Sequence, residues 1–296
     1  MILRQLIHTQ RGLTLPELLM ALVTSGILLG AMVSSFISQQ KTYAMQEQAS
    51  EMTLSARAAL DMIIRDIRTT GYGVPTSGLE QWIDWVYDGE GTLIQFTEPI
   101  HIMQQENEAD TLMLVGCFDA PIARLQADAD VGDDRLYLRY DRRTTAFNPT
   151  QRKIFYLGRN ENGIVTDTPS QSRRRSSIGI DTDPETPGNQ GVDWHYSGGE
   201  DILELLKVVT YAIKIDHVNY EAPTPILTRD ENMGGGAQPV AEHVEDLRIT
   251  RNGDTLTVAL TVRTATPAPH YTHPAVGDGY RRLTLTSAVD PRGVQL

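Results

Sequence analysis

Thr14 and Glu17 stand three residues apart, just ahead of an apolar run, at the spacing of a capping box. There a carboxylate reaches back to a free N–H at the helix start, and Pro16 is tolerated because the N–H it lacks would have no partner in the first turn. Few other residues suggest chemistry. Asp128, Asp130, Asp133 and Asp134 bunch in a turn and offer oxygens of the kind calcium takes. Their spacing lacks the EF-hand order and its terminal Glu, so the turn reads equally as a solvated loop before a strand. His270-x-x-His273 provides two imidazoles and no third ligand. Arg173-Arg174-Arg175 suits a phosphate or an acidic surface, or a plain solvated run. Trp82, Trp85 and Trp194 fit either a core or an exposed ligand anchor. Cys117, the single cysteine, follows Leu112-Met113-Leu114-Val115-Gly116 and reads as a small buried hydrophobe. There is no GxSxG, Walker A or HExxH. The reading is therefore non-enzymatic with no cofactor, calcium being the weak candidate.

The elements that position these residues follow from patterning. The chain has 296 residues and a net charge of -12. That balance argues against a broad nucleic-acid surface, which needs clustered cations. One cysteine excludes both an intramolecular disulfide framework and a cysteine-based zinc cage. From Leu18 to Gln40 no charged residue occurs. As a helix those 23 residues span about 34 Å, enough for a bilayer core. Arg4 and Arg11 precede the run, with Glu17 at its head the one acid before it, so the positive-inside rule places Met1 in the cytoplasm and residues after 40 outside it. Gly26 and Gly30 form a GxxxG, a helix-packing face or a flexible point.

Beyond the apolar run, Met45, Ala49, Met52, Ala56, Ala59, Leu60, Ile63 and Ile67 recur at helical steps, and Gly71-Tyr72-Gly73-Val74-Pro75 supplies the stop. One helix from about 14 to 70 is expected, apolar all round in its first half and striped in its second. The stripe requires a sheet to cover it. Strands are expected at 92–97, 111–116, 135–140, 153–158, 208–215, 244–250, 255–264 and 281–287, with Arg251-Asn252-Gly253-Asp254 turning a hairpin. Residues 202–207 are ambiguous. The polar segment 160–201 reads as a long surface loop or partly disordered insertion, and 232–239 as a second flexible stretch. Residues 71–296 carry 20 cations and 33 anions, a charge of -13 that suits a soluble head.

Three readings of the N-terminus compete. A secretory signal peptide has a shorter apolar stretch and no carboxylate at its head. A single-span anchor fits but leaves the motif before it unused. The third rests on Arg11-Gly12-Leu13-Thr14-Leu15-Pro16-Glu17-Leu18-Leu19, which resembles the N-terminus of type IV prepilins. The resemblance implies cleavage by prepilin peptidase after Gly12, N-methylation of Leu13, and pairing of Glu17 with the new α-amine of a neighbouring subunit. Two positions depart from the family pattern: Leu13 stands where Phe is commonest and Pro16 where an aliphatic residue is usual. Further along, Ala56–Arg68 with Gly71-Tyr72-Gly73, then Val209–Ile213, Leu227-Thr228-Arg229 and Ala241–Ile249, resemble PilW-type minor pilins and the related J-type pseudopilins.

The resemblance implies an α+β, pilin-like fold with four parts. These are a leader at 1–12, a membrane and filament-core half-helix at 13–40, an amphipathic half-helix at 41–70 and a β-rich head at 71–296. It implies other minor and major pilins and an inner-membrane assembly platform as partners. It also implies residence as a single-pass protein of the inner membrane and then in the pilus at the cell surface. A J-type pseudopilin of type II secretion and a membrane-anchored binding or adhesin domain are the alternatives.

Overall fold

The computed structural model describes residues 14–75, 78–88, 91–106, 108–119, 121–139, 153–159, 161–167, 170–171, 175–218, 223–269 and 271–291. The chain is α+β and divides into two compact units, Met1–Glu51 and Met52–Leu296. Helix α1 runs Leu15–Thr69 without a break, one residue inside the expected bounds at each end. In the first unit every described residue up to Ala44 is exposed. Leu15, Met20, Ile27, Met32 and Phe36 are among the large apolar side chains left bare there. Such a surface requires lipid or neighbouring helices to cover it.

In the second unit the helical stripe is covered. Ala56, Ala59, Leu60, Ile63, Ile64 and Ile67 are buried, and the alanines among them let a sheet approach closely. A buried Ile or Leu contributes about 1.5–3 kcal/mol. The helix ends because Gly71 and Gly73 take φ of 86° and 73°, a conformation costly for residues with a Cβ. The Gly71 N–H then donates to Val115 O, handing the chain to the sheet.

Next come α2 (Leu79–Trp82), β1 (Ile100–Met103), β2 (Thr111–Gly116), β3 (Ala123–Arg124) and β4 (Arg135–Arg139). They are followed by β5 (Ile154–Gly158), β6 (Glu161–Val165), β7 (Ser170–Gln171), β8 (Arg175–Asp181) and the long β9 (Ile202–Asp216). The chain closes with β10 (Thr224–Asp230), β11 (Gln238–Glu242), β12 (Val244–Asn252), β13 (Thr255–Arg263) and β14 (Arg282–Val289). An eleven-stranded sheet has the path β1-β2-β9-β5-β6-β8-β4, with β10 and β11 joined through β9; β12-β13-β14 form a second sheet. The described ladders are antiparallel. In β13, Leu256, Val258, Leu260 and Val262 alternate inward as the period-two pattern requires. Gly253 turns the β12–β13 hairpin at φ 61°.

Three cores result. The helical stripe packs with Leu112 and Leu114 of β2, Val209 and Tyr211 of β9, Leu227 of β10, and the inward faces of β12 and β13. On the opposite face of β2 and β9, Met113, Val115, Leu206 and Val208 meet Leu79, Ile83, Val86, Ile94 and Phe96. A third cluster joins β4, β5 and β8 to Leu125, Val192 and Tyr196.

Two sequence expectations are corrected, and two further segments are defined. Segment 160–201 is not a loop: it holds β6, β7 and β8, and it buries Ile164, Val165, Ile178, Ile180, Val192 and Tyr196. Those apolar residues are too widely spaced to stand out in a polar background. Residues 92–97 make only the Tyr87–Leu93 bridge, because Ile94 and Phe96 serve as core plugs. Residues 202–207 are the first part of β9. The 232–239 stretch is tied at one end, where Asn232 donates to Val208 O at 2.9 Å, and enters β11 at the other.

Candidate functional site

The head of α1 is built from Thr14 and Glu17. Leu18 N–H donates to Thr14 O at 3.1 Å, closing the first helical turn. The Thr14 N–H and hydroxyl donate to Glu17 Oε2 at 2.9 and 2.8 Å. The Thr hydroxyl therefore faces the carboxylate rather than a backbone N–H, and the carboxylate supplies the capping arm. Glu17 is exposed. A Cβ built at Gly26 or Gly30 would meet nothing within 4 Å. These bare positions let a neighbouring backbone come close, the geometry that small-xxx-small pairs provide in membranes. Gly12 and Leu13 lie outside the described residues.

At the other end of the helix a buried charge chain ties it to the sheet. Asp66 is 5% exposed. It accepts from Tyr211 Oη at 2.6 Å and Arg229 Nε at 2.9 Å. Arg229 Nη1 donates to Glu231 at 2.6 Å, and Glu231 also accepts from Lys207 Nζ at 2.6 Å. Lys207 pairs with Asp119 as well. Burial alone would raise the Glu231 carboxyl, but its hydrogen bonds from Lys207 and Arg229 hold it below its ordinary value. Sequence reasoning did not find this chain. Its signal is a carboxylate inside the apolar stripe, Ile63-Ile64-Arg65-Asp66-Ile67, which needs a cation once buried.

A third feature joins parts of the chain that are remote in sequence. Pro75, Gln81 and Trp82 meet Glu161 and Asn162 of β6, Thr182–Glu185 after β8, and Asp193-Trp194 around a cavity of about 300 Å³. Glu161 Oε1 accepts from Asp193 N–H at 2.7 Å, and its Oε2 from Tyr196 Oη at 2.5 Å. Burial pushes the Glu161 carboxyl upward. Of the three tryptophans, Trp82 and Trp85 pack partly against the core, while Trp194 is 52% exposed. The core reading fits Trp82 and Trp85 in part, and Trp194 is exposed.

The remaining candidates are spent on turns or fall elsewhere. Asp128 accepts from Gly198 N–H at 2.7 Å, Asp130 meets His195 Nδ1 at 2.9 Å, and Asp133 accepts from Asp130 N–H at 2.9 Å. Among the described residues no group of three His, Cys, Asp or Glu side chains is placed to hold a metal ion. His273 Nδ1 accepts from the Ala275 and Val276 N–H groups, and His270 lies outside the described residues. Arg173 and Arg174 also lie outside them, and Arg175 begins β8. Cys117 is buried, as expected, and burial together with Glu204 and Asp119 pushes its thiol up.

Among the described residues α1 is a helix long and apolar enough to cross a membrane. Neither a known family model, nor a curated protein, nor a solved structure matches the chain.

Proposed function

We propose that the chain is a PilW-like minor pilin of a type IV pilus, a structural subunit that helps initiate or cap assembly after prepilin peptidase has removed residues 1–12. The supporting observation is one unbroken helix with two surfaces. It carries Glu17 in its first turn, is exposed up to Ala44 and uncharged from Leu18 to Gln40, and buries one stripe between Ala56 and Ile67 against the sheets. The exposed part serves lipid before assembly and other pilin helices afterwards. In both states apolar surface leaves water at about 25 cal/mol per Å² relative to a bare helix.

On this reading the chain waits in the inner membrane with its head outside the cytoplasm. It then enters a filament with minor and major pilins on an inner-membrane assembly platform. Glu17 pairs with the α-amine of a neighbour's Leu13, because a carboxylate at the head of a membrane helix requires a partner. Gly26 and Gly30 face an adjacent helix.

The test is mass spectrometry of the N-terminus from native membranes with and without prepilin peptidase. An N-methylated Leu13 that depends on the peptidase is expected. A chain still starting at Met1 overturns the reading. Glu17→Ala should leave processing intact and reduce piliation at least about tenfold, the loss of roughly 1.4 kcal/mol in assembly. Normal piliation would exclude the pairing role.

A further inference from the structure

The cavity between α2, β6 and the segments after β8 has a one-sided chemistry. Its volume of about 300 Å³ sits at the small end of ligand sites, roughly 300–1,000 Å³. Glu161, Asp183, Glu185 and Asp193 line it, and among the described residues no Lys, Arg or His does. The hydrogen bonds that hold these carboxylates come from neutral donors. Glu161 takes the Asp193 N–H and the Tyr196 hydroxyl, and Asp183 takes the Thr186 hydroxyl at 2.6 Å. Such bonds fix Glu161 and Asp183 in place without neutralising them; a described cation, Arg159, stacks on the Tyr196 ring at 5.7 Å.

Asn162 closes part of the lining. It is 5% exposed and lines the same cavity. Its Nδ2 is spent on Gly73 O at 2.7 Å, while its Oδ1 has no hydrogen-bond partner among the described residues. Trp82 and Trp194 add indole surface to the lining.

We propose that this cavity binds an organic ammonium group, a primary or methylated amine on a slender chain. A protonated amine donates without accepting and matches a wall of acceptors, and a quaternary ammonium offers its charge to the carboxylates without an N–H. Indole faces attract such cations. The charge is spread along the wall rather than gathered into a ligand set, which suits a bulky cation better than a compact metal ion. A neutral sugar would stack on the same indoles, but its hydroxyls both give and accept, and the charge of the carboxylates would contribute little to holding it. The inference goes beyond the filament reading and does not depend on it.

Saturation-transfer NMR on the detergent-solubilised full chain provides the test, with choline, spermidine, Nα-acetyl-lysine amide and glucosamine as probes and glucose as the neutral control. The amines should show saturable binding that weakens in high salt, and glucose should not. Asp193→Asn and Glu185→Gln, both at exposed positions, should each weaken amine binding about fivefold, close to 1 kcal/mol. Their thermal melting should match the parent chain. Preference for choline or spermidine supports a free small amine as the natural ligand; preference for the lysine derivative supports a lysine side chain. Glucose binding as well as glucosamine overturns the proposal. So does the absence of saturable amine binding up to about 10 mM, an affinity of about 2.7 kcal/mol, or full binding by the variant carrying both Asp193→Asn and Glu185→Gln.

Discussion

Asp66→Ala tests whether the buried charge chain holds the helix to the sheet. The carboxylate accepts from Tyr211 Oη at 2.6 Å and Arg229 Nε at 2.9 Å. Hydrogen bonds to charged groups contribute about 1.5–3 kcal/mol each, and removing one partner of a buried ion pair costs about 3–5 kcal/mol. Arg229 would keep Glu231, and 18% of its side chain reaches solvent, so the loss falls at the low end. The expected destabilisation is about 3 kcal/mol, or a melting point lower by roughly 6–12 °C for a unit of this size. The assay is urea unfolding of the full chain in detergent, followed by tryptophan fluorescence. Trp82, Trp85 and Trp194 all lie in the second unit, so the signal reports on that unit. Adding Arg229→Met removes the stranded cation while Glu231 retains Lys207. The double variant should therefore be more stable than the sum of the single losses by about 1–3 kcal/mol. A single-variant loss under about 1 kcal/mol, or additivity within about 0.5 kcal/mol, would refute the argument.

Gly191→Ala places a Cβ 2.2 Å from the Gly132 carbonyl carbon and oxygen, backbone atoms that no rotamer change can move. A destabilisation of about 2–3 kcal/mol by overpacking is expected from urea unfolding, and an unchanged midpoint would show that the two loops can part freely. Cys117 should resist iodoacetamide at pH 8 in the native chain and react fully in urea, as read by mass spectrometry; rapid native labelling would contradict its burial. Stability should also vary with pH on two sides. Burial raises Glu161 above its ordinary 4.5, so the folded chain holds the extra proton and stability falls as pH rises from 4.5 through the raised value. Asp278 is held at about 2 by Arg282, so its contribution is present above 3.8 and is lost as pH falls through about 2. Melting points across pH should show both slopes. Glu161→Gln should flatten the upper one, and an unaltered upper slope in that variant would remove Glu161 from the account.

Whatever depends on short-range periodicity could be read from the chain alone. Helix α1 was readable within one residue at each end, because apolar continuity, the stripe from Ala56 to Ile67 and the glycine stop are all local signals. The hairpin of β12 and β13 was readable for the same reason: two alternating runs flank Asn252-Gly253-Asp254. Cys117 was readable from its apolar neighbours. Tertiary structure decided whatever depends on residues distant in the chain. The strands within 160–201 pair with β4 and β5 and share a core with Leu203 and Leu205 of β9, so their own polar composition conceals them. Asp66 and Arg229 stand 163 residues apart, and only the packing of α1 on β9 and β10 turns a charge inside an apolar stripe into a satisfied ion pair. Trp82 and Trp194 likewise become two walls of one cavity because the segment after α1 folds across β6 to meet the loop after β8. A helix is specified by neighbours a few residues away, whereas a site is specified by which surfaces the sheet brings face to face.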